Sequence, residues 1–312
     1  MKGKYISIGI GDSSESDSYR AAMQAARDSM DEIGKAPTFS IVYTKAEADQ
    51  HKIAEGINKI IGTNWVGLST DKQFNSSSKY RKDTTVSVVS FYSKYLHIGI
   101  GVAQDYRKNP RRAAVKATLD AMRSVKRERT MDAYIQFTRT QKQTYENIVK
   151  TPPYFILSFV SGAQFINKKP VAGDEIEFLN GILEAAGPHI PVFGAGAGSD
   201  FENYLYKNTG KNYQFANGKV YTNSGIVAFV VSNLYFENNV KHGYLTTNDF
   251  AAVTKLNNTG YEILEINGKS AIEEYCRLIH VKSPVYLKDP FKYSLMRPFG
   301  ITALDGSTYI KE

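Results

Sequence analysis

Hydrophobic and polar positions switch between two periods along this chain. Tyr5-Ile-Ser-Ile-Gly-Ile-Gly11 alternates apolar and small residues and predicts a strand. The polar run Asp12–Ser18 follows, with Ser16, Asp17 and Ser18 as candidate helix caps. From Tyr19 the period becomes helical, with Ala22, Ala25, Ala26, Met30 and Ile33 on one face, and Gly34 and Pro37 end the helix. Thr38–Tyr43 reads as a second strand. A second helix carries Ile53, Ile57, Ile60 and Ile61 and stops at Gly62. Trp65-Val-Gly-Leu68, a polar loop through Ser78 and the β-branched run Thr84–Tyr92 complete the unit.

The pattern then restarts. Tyr95-Leu-His-Ile-Gly-Ile-Gly101 repeats the opening strand, and Asn109 and Pro110 mark a new helix start. In that helix Arg112, Ala113, Ala114 and Met122 stand where Arg20, Ala21, Ala22 and Met30 stood. Lys126–Lys150 is a polar insertion without a core stripe. Tyr154–Val160 matches the second strand, and Asp174–Ala186 is a helix presenting Ile176, Leu179, Ile182 and Leu183. Pro191-Val-Phe-Gly-Ala-Gly-Ala-Gly-Ser-Asp200 then falls in register with Trp65-Val-Gly67, and Gly225–Val231 closes the unit.

Residues 5–93 and 95–232 therefore read as two copies of strand–helix–strand–helix–strand–strand, with a hairpin-like junction at Ser93-Lys94. The expected class is α+β, with mixed sheets covered by helices. In the tail, Leu234–Val240 is a predicted strand, Tyr261–Lys269 a strand entering a tight Asn-Gly turn, and Ala271–His280 a short helix. Pro284–Glu312 shows no helical period. The expected division is a duplicated domain over 1–232 and a smaller, incomplete α+β domain over 233–312.

Composition narrows the picture. Hydrophobic residues make up 42% of the 312, enough for a substantial core. The formal charge is +8, concentrated between Arg107 and Arg129, but the basic helix end Arg123–Arg129 lacks interleaved aromatics, so nucleic acid is not an expected partner. Cys276 is the one cysteine, which excludes an intramolecular disulfide and fits a reducing, cytoplasmic setting. No apolar run reaches the length of a membrane span.

Candidate chemistry centres on the glycine-tipped strand. Alternating Gly194, Gly196 and Gly198 let something approach the backbone closely, and Ser199 and Asp200 add polar side chains. Ser69, Thr70 and Asp71 occupy the equivalent tip of the first copy. The glycines do not fit a dinucleotide fingerprint, since Ser199 replaces the third glycine and no amphipathic helix opens there. Asn208-Thr-Gly-Lys-Asn212 lacks the leading glycine and terminal Ser or Thr of a P-loop. Cys276 and His280, one helical turn apart, would permit a thiolate–imidazole pair. No motif requires a cofactor or a metal.

These stretches resemble FIST domains (F-box and intracellular signal transduction). The likeness is carried by Gly11-Asp-Ser-Ser14 with Ala21-Ala22, Trp65-Val-Gly-Leu-Ser-Thr70, Pro191–Asp200 and Ser224-Gly-Ile-Val-Ala228. In the tail, His242-Gly243, Val253-Thr254, Ile263–Ile272 and Ser294–Gly300 look like the start of a C-terminal FIST segment, which stops at Glu312 with no output domain after it. The resemblance implies a non-catalytic sensory module that binds small polar metabolites such as amino acids and acts on a signalling partner such as a kinase. The expected contacts are Gly194, Ala195, Gly196, Ala197, Gly198, Ser199 and Asp200, with Ser69, Thr70 and Asp71, all facing a shared cavity. Two alternatives stand beside it: an enzyme acting on a small carbonyl or amide through Cys276 and His280, and a protein-docking module.

Overall fold

In the computed structural model, which describes residues 5–71, 84–125, 154–166, 169–171, 173–199, 203, 207, 210–232, 234, 236, 243–247, 249–258, 262–302 and 308–311, β1 (Ser7–Ser13) leads into α1 (Ser18–Ile33). Of the three cap candidates Asp17 is the one used: its carboxylate accepts the Arg20 N–H at 2.8 Å. Gly34, at φ 73°, closes the helix by donating to the Met30 carbonyl. Then come β2 (Phe39–Lys45), α2 (Gln50–Ile61), β3 (Trp65–Thr70) and β4 (Val86–Tyr92). The second series is β5 (Leu96–Ala103), α3 (Pro110–Ser124), β6 (Tyr154–Ser161), the short β7 (Gln164–Ile166) and β8 (Lys169–Val171), α4 (Glu175–Ala186) and β9 (Val192–Ala197). A small hairpin, β10 (Gln214–Ala216) and β11 (Lys219–Tyr221), precedes β12 (Gly225–Ser232).

Two sheets result. The first runs β1-β4-β2-β3-β10-β11 and the second β5-β12-β6-β9. Their first four strands correspond: in each, the opening strand pairs antiparallel with the last, the last antiparallel with the second, and the second parallel with the third. The sheets pack face to face through residues such as Phe39, Val66, Leu68, Phe159, Ile226 and Ala228. α1 and α2 cover the outer face of the first sheet, with Trp65 and Phe215 in its core, and α3 and α4 cover the second over Tyr106 and Phe178.

The paired Ile-Gly-Ile-Gly strands are explained by helix approach. A Cβ on Gly9 or Gly11 would stand 1.9 and 2.0 Å from the Ser29 and Ala25 carbonyl oxygens of α1. A Cβ on Gly99 or Gly101 would stand 2.0 and 1.9 Å from the Ala121 and Ala117 carbonyls of α3. Only glycine lets the helix lie this close to the strand.

Three expectations are corrected. β4 and β5 do not form a hairpin at Ser93-Lys94; β4 pairs with β1 and β2, and β5 with β12, so this turn passes the chain from one sheet to the other. On α4 the buried face is Phe178, Gly181 and Ile182, while Ile176 and Leu179 are 50% and 41% exposed. The cause is α3: a Cβ at Gly181 would come within 2.2 Å of the Arg111 carbonyl, so the glycine marks the contact line. Finally, Pro284–Glu312 contains helix after all.

By its internal packing the chain divides into Met1–Phe236 and Glu237–Glu312. In the second unit β13 (Val253–Leu256), β14 (Ile263–Ile266) and β15 (Lys269–Ser270) form an antiparallel sheet, with the expected tight turn at Asn267 and Gly268, φ 53° and 72°. Then follow α5 (Ala271–Leu278), α6 (Ser283–Tyr286) and α7 (Pro290–Met296), the last capped by Asp289, whose carboxylate accepts the Lys292 N–H. β16 (Phe299–Thr302) pairs with β17 (Thr308–Lys311). Ile266, Tyr275 and Ile279 are its core. The polar loop through Ser78, the insertion Lys126–Lys150 and most of Leu234–Val240 lie outside the described residues.

Candidate functional site

The two glycine-tipped strands end side by side. The Gly198 N–H donates to the Ser69 carbonyl at 2.9 Å, and the Ser69 hydroxyl donates to the Gly198 carbonyl at 2.7 Å. Ser69, fully buried, also accepts the Tyr213 N–H at 2.9 Å. The tips of the two halves therefore meet directly instead of facing each other across open space. A Cβ on Gly198 would fall 3.9 Å from the Thr70 Cα and 4.0 Å from the Asp71 nitrogen, so Thr70 and Asp71 belong to the same neighbourhood. Ser199 is half-buried beside them, and Asp200 lies outside the described residues.

β9 is the edge strand of its sheet. The Pro191 and Ala197 carbonyls accept bonds from Ile156 and Gly162 at the β6 end of the pairing. Strand alternation then turns the backbone groups of Val192, Gly194 and Gly196 toward the open side. Gly194, Ala195 and Gly196 are all exposed, whereas Ala197 is buried in the layer between the sheets. The matching edge of β3 is closed: β10 pairs with it, Gln214 opposite Leu68 and Phe215 opposite Gly67.

Behind the tips lies a buried polar network that sequence reading missed. Ser161 donates to Asn212 Oδ1 at 2.6 Å, and Gln214 donates to the same oxygen at 2.9 Å. Asn212 in turn donates to the Gly162 and Ala163 carbonyls at 3.1 and 3.2 Å. Arg107 donates to the Ser161 hydroxyl and to Asn223 Oδ1 through one nitrogen, and to the Ser161 and Gly162 carbonyls through the other. The Tyr106 hydroxyl donates to the Ser161 carbonyl at 2.6 Å and accepts the Asp174 N–H, and burial pushes its pKa up. Asn212, Gln214 and Ser161 are fully buried at its centre, with half-buried Arg107 and Asn223 at its margin, so the network fixes the β6 end from inside. No sequence signal beyond an arginine soon after a repeated strand pointed to it.

Glu175, the first residue of α4, lies over the glycines. Its Oε1 would be 3.3 Å from a Cβ on Gly196 and 3.5 Å from one on Gly162. The side chain is half-buried and has no hydrogen-bond or ion-pair partner among the described residues. An unpaired carboxylate above bare, outward-turned backbone is an acceptor for a cationic group, flanked by peptide N–H donors for an anionic one.

The FIST N domain family model matches residues 38–269, about three-quarters of the chain. The protein belongs to the FIST family. FIST is a sensory domain of signal transduction to which small-ligand binding is ascribed. The match runs past residue 232 and takes in Val253-Thr254 and Ile263–Lys269, which from sequence looked like the start of a C-terminal segment. No curated protein matches significantly. Among solved structures, a cyanuric acid hydrolase from A. caulinodans is similar at 11% identity and a TM-score of 0.35, over 74% of this chain and 72% of that one. At that level the likeness carries no argument about this FIST protein. Its second unit holds Cys276 and His280: the thiol is 2% exposed and the histidine is at the surface, at φ 56°. No helix among the described residues is long and apolar enough to cross a membrane.

Proposed function

We infer that this FIST protein is a cytoplasmic sensory module that binds a small metabolite bearing both an amino and a carboxylate group, an amino acid being the simplest, at the joined strand tips, and does not transform it. The observation that carries this reading is the unpartnered Glu175 carboxylate over Gly196 and Gly162. The ligand's ammonium pairs with Glu175, and its carboxylate takes N–H donors from the open edge of β9 around Gly194 and Gly196. Ser69, Thr70, Asp71, Gly198 and Ser199 form the surround. The two similar halves are read as copies of one ancestral unit, supported by matching strand order and by the equivalent glycine-to-helix contacts.

Signalling follows from population shift. A ligand held by β9 and α4 favours the arrangement in which the tips are clasped, and a partner such as a kinase reads that arrangement. The single buried Cys276 suits a reducing compartment, and its burial argues against its use as a nucleophile. The test is thermal shift of the full chain against an amino-acid panel, comparing wild type with Glu175→Gln and Gly196→Val. The expected result is a shift with wild type that both variants lose; variants that respond as wild type does overturn the site.

A further inference from the structure

A second feature sits at the opposite end of the sheets from the tips. A cavity of about 830 Å³ lies between the two inner faces, within the first unit. Its wall is formed where β1, β2, β5 and β6 begin and β4 and β12 end. Six aromatic rings line it: Tyr5, Phe39, Phe91, Tyr95, Phe155 and Phe236. The remaining wall is aliphatic, Leu157 and Val230 among it, apart from Ser232, and no charged side chain takes part. A volume in the range of about 300–1,000 Å³ with a mainly apolar and aromatic lining is what small-molecule sites show.

Beside the phenol hydroxyls of Tyr5, which is exposed, and Tyr95, which is half-buried, Ser232 supplies the buried polar side chain of the wall. It is 3% exposed, and its hydroxyl oxygen accepts the Leu234 N–H at 3.0 Å. The hydroxyl proton is donated to no group among the described residues. A buried donor left unspent in a mainly apolar wall favours a ligand with an acceptor at that point. A charged ligand would be stranded here without a counter-charge.

We propose that this cavity is a binding site, separate from the strand tips, for an uncharged, largely apolar small molecule that carries one carbonyl or ether acceptor. The acceptor takes the Ser232 proton and the apolar body stacks among the rings. Leu234 and Phe236, at the C-terminal end of the first unit, are part of the cavity wall.

The test uses two neutral fluorescent probes on the full chain: prodan, which has a carbonyl, and N-phenyl-1-naphthylamine, which has none. Both are expected to bind saturably, one per chain, with blue-shifted emission. Leu157→Trp fills the cavity and should weaken both at least about ten-fold, while Glu175→Gln leaves both unchanged. Ser232→Ala should weaken prodan about five-fold, the worth of one hydrogen bond, and spare the naphthylamine. A linear, unsaturable signal overturns the proposal, as does wild-type probe binding by Leu157→Trp. Should Leu157→Trp not unfold cooperatively, Ser232→Ala decides: equal effects on the two probes, or none on either, overturn the assigned acceptor contact.

Discussion

Ser69 and Gly198 clasp each other across the two sheets, each carbonyl accepting a hydrogen bond from the other residue, at 2.9 and 2.7 Å. The clasp joins strands that are far apart in sequence and sits where no water reaches the serine. Ser69→Ala removes a buried hydroxyl and leaves the Gly198 carbonyl and the Tyr213 N–H without their partner. The expected cost is about 1–3 kcal/mol. Urea unfolding followed through Trp65, the one tryptophan and a neighbour on the same strand, measures it.

Gly194 and Gly196 look alike in sequence and should behave differently. A Cβ on Gly194 would meet the Ser158 carbonyl oxygen at 1.7 Å, in the backbone of the paired strand. Gly194→Ala should therefore cost about 1–3 kcal/mol through a displaced β9. Gly196→Ala is tight only against the movable Glu175 carboxylate, with the Gly162 backbone at ordinary contact distance, and should stay within about 0.5 kcal/mol of wild type. Thermal unfolding of the two variants side by side checks the contrast, and equal losses would contradict it.

Asn212 holds the β6 end together from the inside. Asn212→Leu strips Ser161 and Gln214 of their common acceptor and the Gly162 and Ala163 carbonyls of a donor. With at least two buried polar groups left unpaired, a loss of about 2–5 kcal/mol is expected at unchanged apolar packing. Denaturant midpoints give the value.

The second unit carries an acid-sensitive element. Glu274, 3% exposed, accepts from Arg277 at 2.7 and 3.0 Å and from Asn267 at 3.0 Å. These donors, Arg277 first, lower its pKa from 4.5 to about 2. Because the folded value lies below the unfolded one, the stabilisation is complete above about pH 4.5 and fades as pH falls toward 2. Calorimetry of wild type and Glu274→Gln should show a large difference in Tm at pH 6 that shrinks by pH 2.5. A difference constant across that range would show that the ionised carboxylate is not what stabilises the unit.

Most of the strand and helix order was legible because each unit obeys local rules. Alternation, caps at Asp17 and Asn109, and glycine stops each act within a few residues. What sequence could not show depends on partners distant in the chain. Of the stripe Ile176, Leu179, Ile182 and Leu183, Ile182 is buried as its helical spacing suggests, but α3 turns the buried face toward Phe178 and Gly181, because Gly181 permits closer approach. Ser93-Lys94 has the length of a hairpin turn, and only the pairing of β5 with β12 makes it a crossing between sheets. At the site, the corresponding places of β9 and β3 in their sheets were readable from register. Glu175 was not, because nothing around it in sequence says that α4 begins over β9.

The β10–β11 hairpin has a consequence for how the chain is made. Gln214 closes on Leu68, so the first sheet keeps a raw border throughout translation of everything between them. Nascent protein on the ribosome must carry an unsealed, apolar β3 until its mate emerges, a hazard for sticking to other chains. The six-stranded sheet is complete only once residues 214–221 have joined it.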